Sequence, residues 1–191
     1  MHAGCYVELP REIMLKRAMI NVRPNDNACF AWSMVAALHP AERNTNRELS
    51  YPYYTVLNLQ DIMFPMTLNQ IKKFEHLNDI SINGIKEKEI LPIQLTSRKM
   101  EKHANLLYVQ DPRDDNAGHF AYIKDLSRFV SSQLNKYGHK KYFCGRCLHY
   151  FSSSERLQSH ATDCEKMNDC AIRLPSEDDK WLEFKNHTNK E

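Results

Sequence analysis

The apolar positions in the first part of the chain predict helices. Residues 29–38 are apolar almost all round, which predicts a buried core helix that ends before Pro40. A second predicted helix, capped by Thr67, has one apolar face, formed by Leu68, Ile71, Phe74 and Leu77. A third helix, over residues 126–136, is amphipathic and stops before Gly138.

Runs of alternating or β-branched residues between these helices predict strands. They cover residues 18–22, 80–85, 90–95, 104–109 and 120–123. A polar turn over residues 111–116 joins the last two. No segment of the chain is repeated. We therefore predict an α+β domain over residues 1–137.

The last part of the chain places four residues at metal-ligand spacing. Cys144 and Cys147 form a C-x2-C knuckle that turns both thiolates toward one point. After twelve further residues come His160 and Cys164, which are four apart and share one face of a helix. We predict that these four side chains bind one zinc ion, Zn²⁺, as a cofactor.

Two apolar residues and a helix start strengthen this interpretation. Phe151 and Leu157 fall where a ββα finger needs its two core residues, and a serine among residues 152–154 can cap the helix. The segment resembles the C2H2 zinc-finger family, in the C2HC variant with Cys164 in place of the second histidine. The resemblance implies a ββα finger over residues 138–166.

Other ligand sets are open at this point. His149 lies inside the knuckle and Cys170 lies beyond the usual end, so either could replace one of the four ligands. A reduced cysteine pair beside a helix that happens to carry a histidine is the plain alternative.

The other cysteines, including Cys5, lie scattered without a disulfide framework, which indicates a reducing, intracellular compartment. Within the cell, we expect a nuclear location.

The overall composition says little about partners, but the local distribution of charge is informative. Hydrophobic residues make up 42% of the 191 residues, enough for a core, and the net charge of +2 is uninformative. Residues 131–151, however, carry four basic side chains and no acid. No apolar stretch approaches a signal peptide or a membrane span. An acidic, flexible tail is predicted over residues 167–191.

If the finger binds DNA in the usual way, its contacts can be assigned in advance. The helix residues facing the bases are Ser153, Arg156 and Ser159. The residues near the phosphates are Lys140, Lys141 and Arg146. A zinc knuckle that only staples a short segment onto its parent chain or a partner is the alternative.

One pattern in the first domain is compatible with nucleophilic catalysis. Cys29 begins the buried helix, His119 begins a late strand and Asp125 follows it. In papain-like and ovarian-tumour-type cysteine hydrolases, a helix start lowers the thiol pKa, a histidine takes the proton and an acid or amide orients the imidazole. Asn27 or the region of Asp26 would supply the oxyanion contact. Alternatively, Cys29 is a small apolar residue packed at a helix start.

A second resemblance covers most of the chain. Its segments are residues 18–22, 27–33, 36–40, 119–128 and 141–151. They resemble the region upstream of the exonuclease and polymerase domains in protein-primed family-B DNA polymerases of Maverick or Polinton elements, which are animal transposons. In that family the catalytic motifs follow the finger, so we expect neither of these activities from this chain.

These observations predict a zinc-binding, nucleic-acid-associated module of a transposon-derived DNA polymerase. Its partner would be DNA or a region of the polymerase. Two alternatives come from different classes of protein: a cysteine hydrolase that uses Cys29 and His119, and a zinc-stapled structural remnant without activity.

Overall fold

A computed structural model describes residues 6–86, 92–111, 114–134 and 139–167. Both helices and strands are present, which confirms the predicted α+β class. Residues 168–191, nearly all of the predicted tail, lie outside this range, as do Cys5 and Cys170. Within the described ranges, no helix combines the length and apolarity that a bilayer crossing requires.

Five strands form one sheet in the spatial order β1-β5-β4-β2-β3. In chain order they are β1 (Met19–Ile20), β2 (Ile80–Lys86), β3 (Pro92–Gln94), β4 (Lys102–Asp111) and β5 (Asp114–Ile123). Strands β2 and β4 are parallel, whereas the other neighbours are antiparallel. The long strands β4 and β5 therefore lie at the centre, between β1 and β2.

Helix α2 (Cys29–Leu38) packs on one face of this sheet and confirms the predicted core helix. The ring of Phe30 meets the rings of Phe74 and Phe120 edge to face, with centroids 5.0 Å and 5.2 Å away. Ser33 Oγ donates a hydrogen bond of 2.8 Å to the carbonyl oxygen of Phe120. Helix α2 is thus fixed against β5 by apolar burial and by one buried polar contact.

The opposite face of the sheet carries a second apolar cluster. Helices α1 (Arg11–Leu15) and α4 (Leu126–Leu134) contribute Ile13, Phe129 and Val130 to it. The strands contribute Ile85, Leu107, Val109, Ala121 and Ile123. Because neighbouring strand residues point to opposite faces, Phe120 and Tyr122 of β5 face α2, whereas Ala121 and Ile123 face this cluster.

The carboxyl-terminal part forms a two-stranded hairpin followed by a helix. Strands β6 (Tyr142–Phe143) and β7 (Tyr150–Phe151) pair antiparallel, and helix α5 (Ser154–Met167) follows. Phe143 and Leu148 pack against the second apolar cluster. The hairpin therefore rests on the main sheet.

Several bounds differ from those of the predicted elements, and β4 and β5 are both longer than predicted. The helix capped by Thr67 begins with a 3-10 turn, Leu68–Gln70, before α3 (Ile71–Asn78). The strand predicted over residues 18–22 is reduced to Met19–Ile20. The turn predicted over residues 111–116 was too long, because β5 already begins at Asp114, where it pairs with Asp111. Polar composition indicated a loop there, but backbone pairing with β4 overrides the weak local preference and extends the strand to Asp114.

Candidate functional site

Four potential metal ligands converge at the carboxyl-terminal hairpin. Cys144 and Cys147 lie in the turn between β6 and β7, and His160 and Cys164 lie on α5. Their ligand atoms all lie within 4.8 Å of one another, so these residues could hold a metal ion. Cys144 and Cys164 are buried, and the other two are half-buried.

The local backbone explains why the two cysteines of the turn face the same point. The amide of Cys144 donates to the carbonyl of His149, and the amide of Leu148 donates to the carbonyl of Cys144, both at 2.9 Å. Leu148 has a φ of 58°, a left-handed conformation that tightens the turn. These bonds close the knuckle with both thiols on its inner side.

The distances inside the cluster fit tetrahedral coordination. Metal–sulfur bonds of about 2.3 Å in a tetrahedron separate two sulfurs by roughly 3.8 Å. The Sγ atoms of Cys144 and Cys164 are 3.8 Å apart, and Cys147 Sγ is 3.3 Å from His160 Nε2. Burial raises the pKa of the Cys147 thiol to about 11. A divalent cation at the centre would stabilise the thiolate that burial alone disfavours.

The knuckle is held against the main sheet by one buried amide. Asn83 of β2 is fully buried, and its Nδ2 donates a 2.7 Å hydrogen bond to the carbonyl oxygen of Gly145. Asn83 Oδ1 accepts a 3.0 Å bond from the amide of Thr96. A single side chain therefore connects the sheet, the 95–99 loop and the metal knuckle.

Arg146 adds a second connection at the same place. Its Nε donates to the carbonyl oxygen of Ser97 at 2.7 Å, and its guanidinium also donates to the carbonyl oxygen of Cys164. A side chain at Gly145 would approach Lys99 Cδ to 2.9 Å, which shows how closely the loop covers the knuckle. The structure thus places Arg146, the predicted phosphate ligand, in contact with backbone carbonyls of its own chain.

The residues predicted to face DNA bases lie at the start of α5. Arg156 and Ser159 are exposed. Ser153 is half-buried, and its Oγ accepts a 3.4 Å hydrogen bond from the amide of Arg156, as a helix cap does. Arg156 and Ser159 are therefore available to a partner, while Ser153 also stabilises the helix.

The two lysines predicted to lie near phosphates directly precede β6, the first strand of the hairpin. Lys140 Nζ lies 5.3 Å from the ring centroid of Tyr142, and Lys141 Nζ lies 5.7 Å from that of Tyr150. Both contacts are cation–π interactions at a half-exposed surface. The lysines are thus held beside aromatic rings on one hairpin.

His149, considered as an alternative ligand, lies beside the cluster without belonging to it. Its ring centroid is 4.9 Å from that of Phe151 and 6.0 Å from that of His160. Phe151 in turn lies 4.9 Å from the His160 ring. These rings form a small aromatic layer that supports His160 from the side.

The predicted nucleophile lies at the start of α2. Cys29 is buried, and its Sγ is 4.0 Å from the carbonyl oxygen of Gly118. Gly118 has no space for a side chain, since an added Cβ would lie 2.1 Å from the ring of Tyr108. The thiol therefore adjoins the residue that immediately precedes His119.

His119 lies on β5 and is fully buried. Its Nε2 is 2.5 Å from Asn21 Oδ1, whereas its Nδ1 has no hydrogen-bond partner among the residues that the structure describes. The edge of the Tyr6 ring covers the imidazole, with centroids 5.6 Å apart. Asn21 was missed in the sequence, where the available signal was a polar residue inside an apolar strand run.

Asp125 and Asp26 occupy positions at helix starts. Asp125 Oδ1 accepts a 2.9 Å hydrogen bond from the amide of Arg128 and so caps α4. Asp26 Oδ1 accepts bonds of 2.9 Å from the amide of Ala28 and 3.3 Å from Trp32 Nε1. Asn27 is exposed. The structure therefore brings Cys29 near the backbone of His119 and gives the His119 ring a different polar partner, Asn21.

Comparisons of the chain with models of known families, with curated proteins and with solved structures find no match. A proposed function must therefore come from the two sites described above. Of these, the cluster of four potential metal ligands has the more complete geometry.

Loss of the metal ligands is expected to loosen the 95–99 loop as well as the hairpin. In Cys147→Ser, the contacts of Gly145 and Arg146 with that loop weaken, and each hydrogen bond contributes about 1 kcal/mol. Amide exchange over residues 94–105 should rise about fivefold or more, as measured by hydrogen–deuterium exchange with mass spectrometry. Arg156→Ala, on the same helix but exposed, is the control. A change confined to residues 139–167 would contradict the coupling.

Proposed function

We propose that this chain binds one zinc ion through Cys144, Cys147, His160 and Cys164. The observation that carries the proposal is the convergence of these four ligand atoms within 4.8 Å of one another. Three thiolates and one imidazole form a soft, tetrahedral donor set, which zinc accepts in structural sites. All four positions belong to the protein, so the ion has a structural role.

The zinc ion would stabilise a C2HC-type finger that is joined to the main sheet. The hairpin and α5 are short and bury little apolar surface of their own, so a metal is needed to fix them. Through their hydrogen bonds, Asn83 and Arg146 would then also stabilise the contact of the finger with the sheet and the 95–99 loop.

Elemental analysis of the purified chain is expected to give one zinc ion per molecule. Cys147→Ser and Cys164→Ser should lose most of this zinc, because three ligands hold the ion far more weakly than four. His149→Ala and Cys170→Ser serve as controls, since these residues are the alternative ligands. Loss of zinc in a control, with retention in Cys164→Ser, would assign a different ligand set.

We also propose that the finger associates with nucleic acid. Support comes from the exposed Arg156 and Ser159 on α5 and from Lys140 and Lys141, which directly precede the hairpin. A single finger contacts about three base pairs, so binding would be weak without a polymerase region beside it. The resemblance to the leader region of Maverick or Polinton polymerases agrees with such a shared role.

Binding to duplex DNA is expected to be weak and to fall steeply as salt rises. Each phosphate contact contributes about one unit to the slope of log affinity against log salt. Lys140→Ala and Arg156→Ala should each weaken binding, and Lys140→Ala should lower the slope by about one, measured by fluorescence anisotropy. Lys73→Ala, which removes an exposed lysine paired with Asp61, is the control. Stoichiometric zinc without salt-sensitive binding would favour the purely structural role.

A cysteine hydrolase is a second candidate function, favoured by the buried His119. One ring nitrogen of His119 has a polar partner, and the other has none within the described part of the chain. The Cys29 thiol lies beside the carbonyl oxygen of Gly118, the residue before His119. A buried, unsatisfied nitrogen costs folding free energy, and a catalytic role is one reason for a protein to keep it. Cys29 also begins a helix, where the dipole stabilises a thiolate.

The corresponding reaction is acyl transfer at a peptide or isopeptide bond. The Cys29 thiol gives its proton to His119, and the thiolate attacks the carbonyl carbon. The imidazolium then protonates the departing amine as the carbon–nitrogen bond breaks, leaving a thioester. Water, deprotonated by His119, cleaves the thioester to a carboxylate and restores the thiol.

Cys29 should be labelled by a peptide or ubiquitin probe that ends in an electrophile. Labelling should vanish in Cys29→Ser and fall at least about a hundredfold in His119→Ala, since general-base assistance is of that order. His39→Ala, an exposed histidine just after α2, is the control. Intact-mass measurement reads the adduct, and an inert Cys29 would reject this candidate.

A further inference from the structure

Four polar side chains form a row on the main sheet beneath the knuckle. Strands β2 and β4 are parallel neighbours, and their register pairs Ser81 with His103 and Asn83 with Asn105. Ile85, two residues beyond Asn83 on β2, belongs to the second apolar cluster, so the row lies on the face of the sheet that carries the hairpin. Ser81 and Asn83 are buried, and the other two are half-buried. The knuckle therefore rests partly on polar side chains.

The hydrogen bonds of Asn83 fix the orientation of its amide. Its Oδ1 accepts from the amide of Thr96 at 3.0 Å, and its Nδ2 donates to the carbonyl oxygen of Gly145 at 2.7 Å. Nδ2 also lies 3.2 Å from Asn105 Oδ1 and 3.4 Å from His103 Nε2. Because an amide nitrogen can only donate, Nε2 must carry no hydrogen in order to accept from it.

The other ring nitrogen of His103 has a partner that suits this tautomer. Since Nε2 is the acceptor, the neutral ring carries its hydrogen on Nδ1, which donates to Ser81 Oγ at 2.8 Å. That hydroxyl also accepts from the amide of Met100 at 2.9 Å and donates its own hydrogen to the carbonyl oxygen of Lys102 at 3.3 Å. The neutral ring thus satisfies both of its neighbours.

Lys99 is a second side chain that adjoins both His103 and the knuckle. Its stem covers Gly145, since a Cβ at that position would lie 2.9 Å from Lys99 Cδ. Burial and, to a smaller extent, the Lys99 ammonium lower the pKa of His103, which outweighs the opposite effect of its bonds with Asn105 and Ser81. No carboxylate in the described part of the chain contributes to this shift.

We propose that protonation of His103 weakens the attachment of the knuckle to the sheet, which makes this attachment sensitive to pH. A second hydrogen, on Nε2, points at Asn83 Nδ2, which is also a donor, and competes with it for Asn105 Oδ1. The imidazolium also repels the Lys99 ammonium. Asn83 and Lys99 both adjoin Gly145, so both effects act on the knuckle. The effect depends on neither nucleic-acid binding nor hydrolysis.

The direction of the pH effect follows from the lowered pKa of His103. The folded chain favours the neutral imidazole, whereas a histidine in an unfolded chain takes up a proton at about pH 6.5. The contribution of His103 to the attachment is therefore complete above about pH 6.5 and is lost as the pH falls further.

Hydrogen–deuterium exchange of the full, zinc-loaded chain at about pH 7.5 and about pH 5.5 tests the proposal, with rates corrected for the intrinsic effect of pH. In the unaltered chain, exchange over residues 95–105 and 142–151 should rise about fivefold or more at the lower pH. The rise should be absent in His103→Gln, because its amide oxygen can replace Nε2 as the acceptor and does not titrate.

His76→Gln is the matched control. His76 is an exposed histidine that lines a cavity together with Thr96 and Ser97 of the same loop, so its own titration is local to that loop. The rise should be unchanged in this variant. A rise that persists in His103→Gln, or that is missing from the unaltered chain, overturns the proposal. A rise that is lost only in His76→Gln also overturns it and assigns the effect to that histidine.

Native mass spectrometry at both pH values follows the bound zinc and separates loss of the metal from loss of the attachment. A rise that accompanies loss of zinc in the unaltered chain and in His103→Gln alike contradicts the proposal while leaving the zinc site in place at neutral pH. A chain without zinc at either pH would instead reject the proposed metal site.

The tautomer of His103 can be read in the unaltered chain, so this check does not depend on the folding of a variant. A long-range ¹H–¹⁵N NMR spectrum, assigned through the backbone, shows which ring nitrogen carries the hydrogen. At about pH 7.5 the hydrogen should lie on Nδ1, and a second proton should bind only below about pH 6.5. A ring that carries its hydrogen on Nε2 at neutral pH would overturn the proposal, with or without zinc.

Discussion

Burial of helix α2 against β4 and β5 is the interaction on which the other features depend. Seven of its side chains are apolar and buried, and the edge-to-face contacts of Phe30 fix its position along β5. Because transfer of apolar surface from water is the main driving force of folding, this contact sets the place of the helix start. The Cys29 thiol consequently lies beside Gly118, and β5 presents His119 to the opposite face.

The second face of the sheet brings the main domain into contact with the carboxyl-terminal hairpin, which is distant from β2 in the sequence. The cluster containing Leu107 and Phe129 receives Phe143 and Leu148 from the hairpin. Asn83 and Arg146 then add hydrogen bonds between the knuckle, the sheet and the 95–99 loop. A hairpin attached in this way is a part of the fold, and a metal ion bound by the four ligands would stabilise more than the hairpin and α5.

Much of the fold and of the metal cluster could be predicted from local patterns. The apolar run over residues 29–38 and the C-x2-C spacing are short-range signals, and each depends only on how one segment folds. The partner of His119 could not be predicted in this way. Asn21 and His119 are 98 positions apart and meet because β1 pairs with β5. Asp125 lay closer in sequence, yet local geometry made it a helix cap.

The sequence by itself therefore determined the class of the fold, the core helix and the four residues that converge as potential metal ligands. Periodicity and ligand spacing carry that information, because helix geometry and a tight turn are local. Only the tertiary structure decided that Arg146 contacts carbonyls of its own chain and that Asn21 holds the His119 ring. Those contacts depend on strand order and on the packing of a distant hairpin, which no single segment specifies.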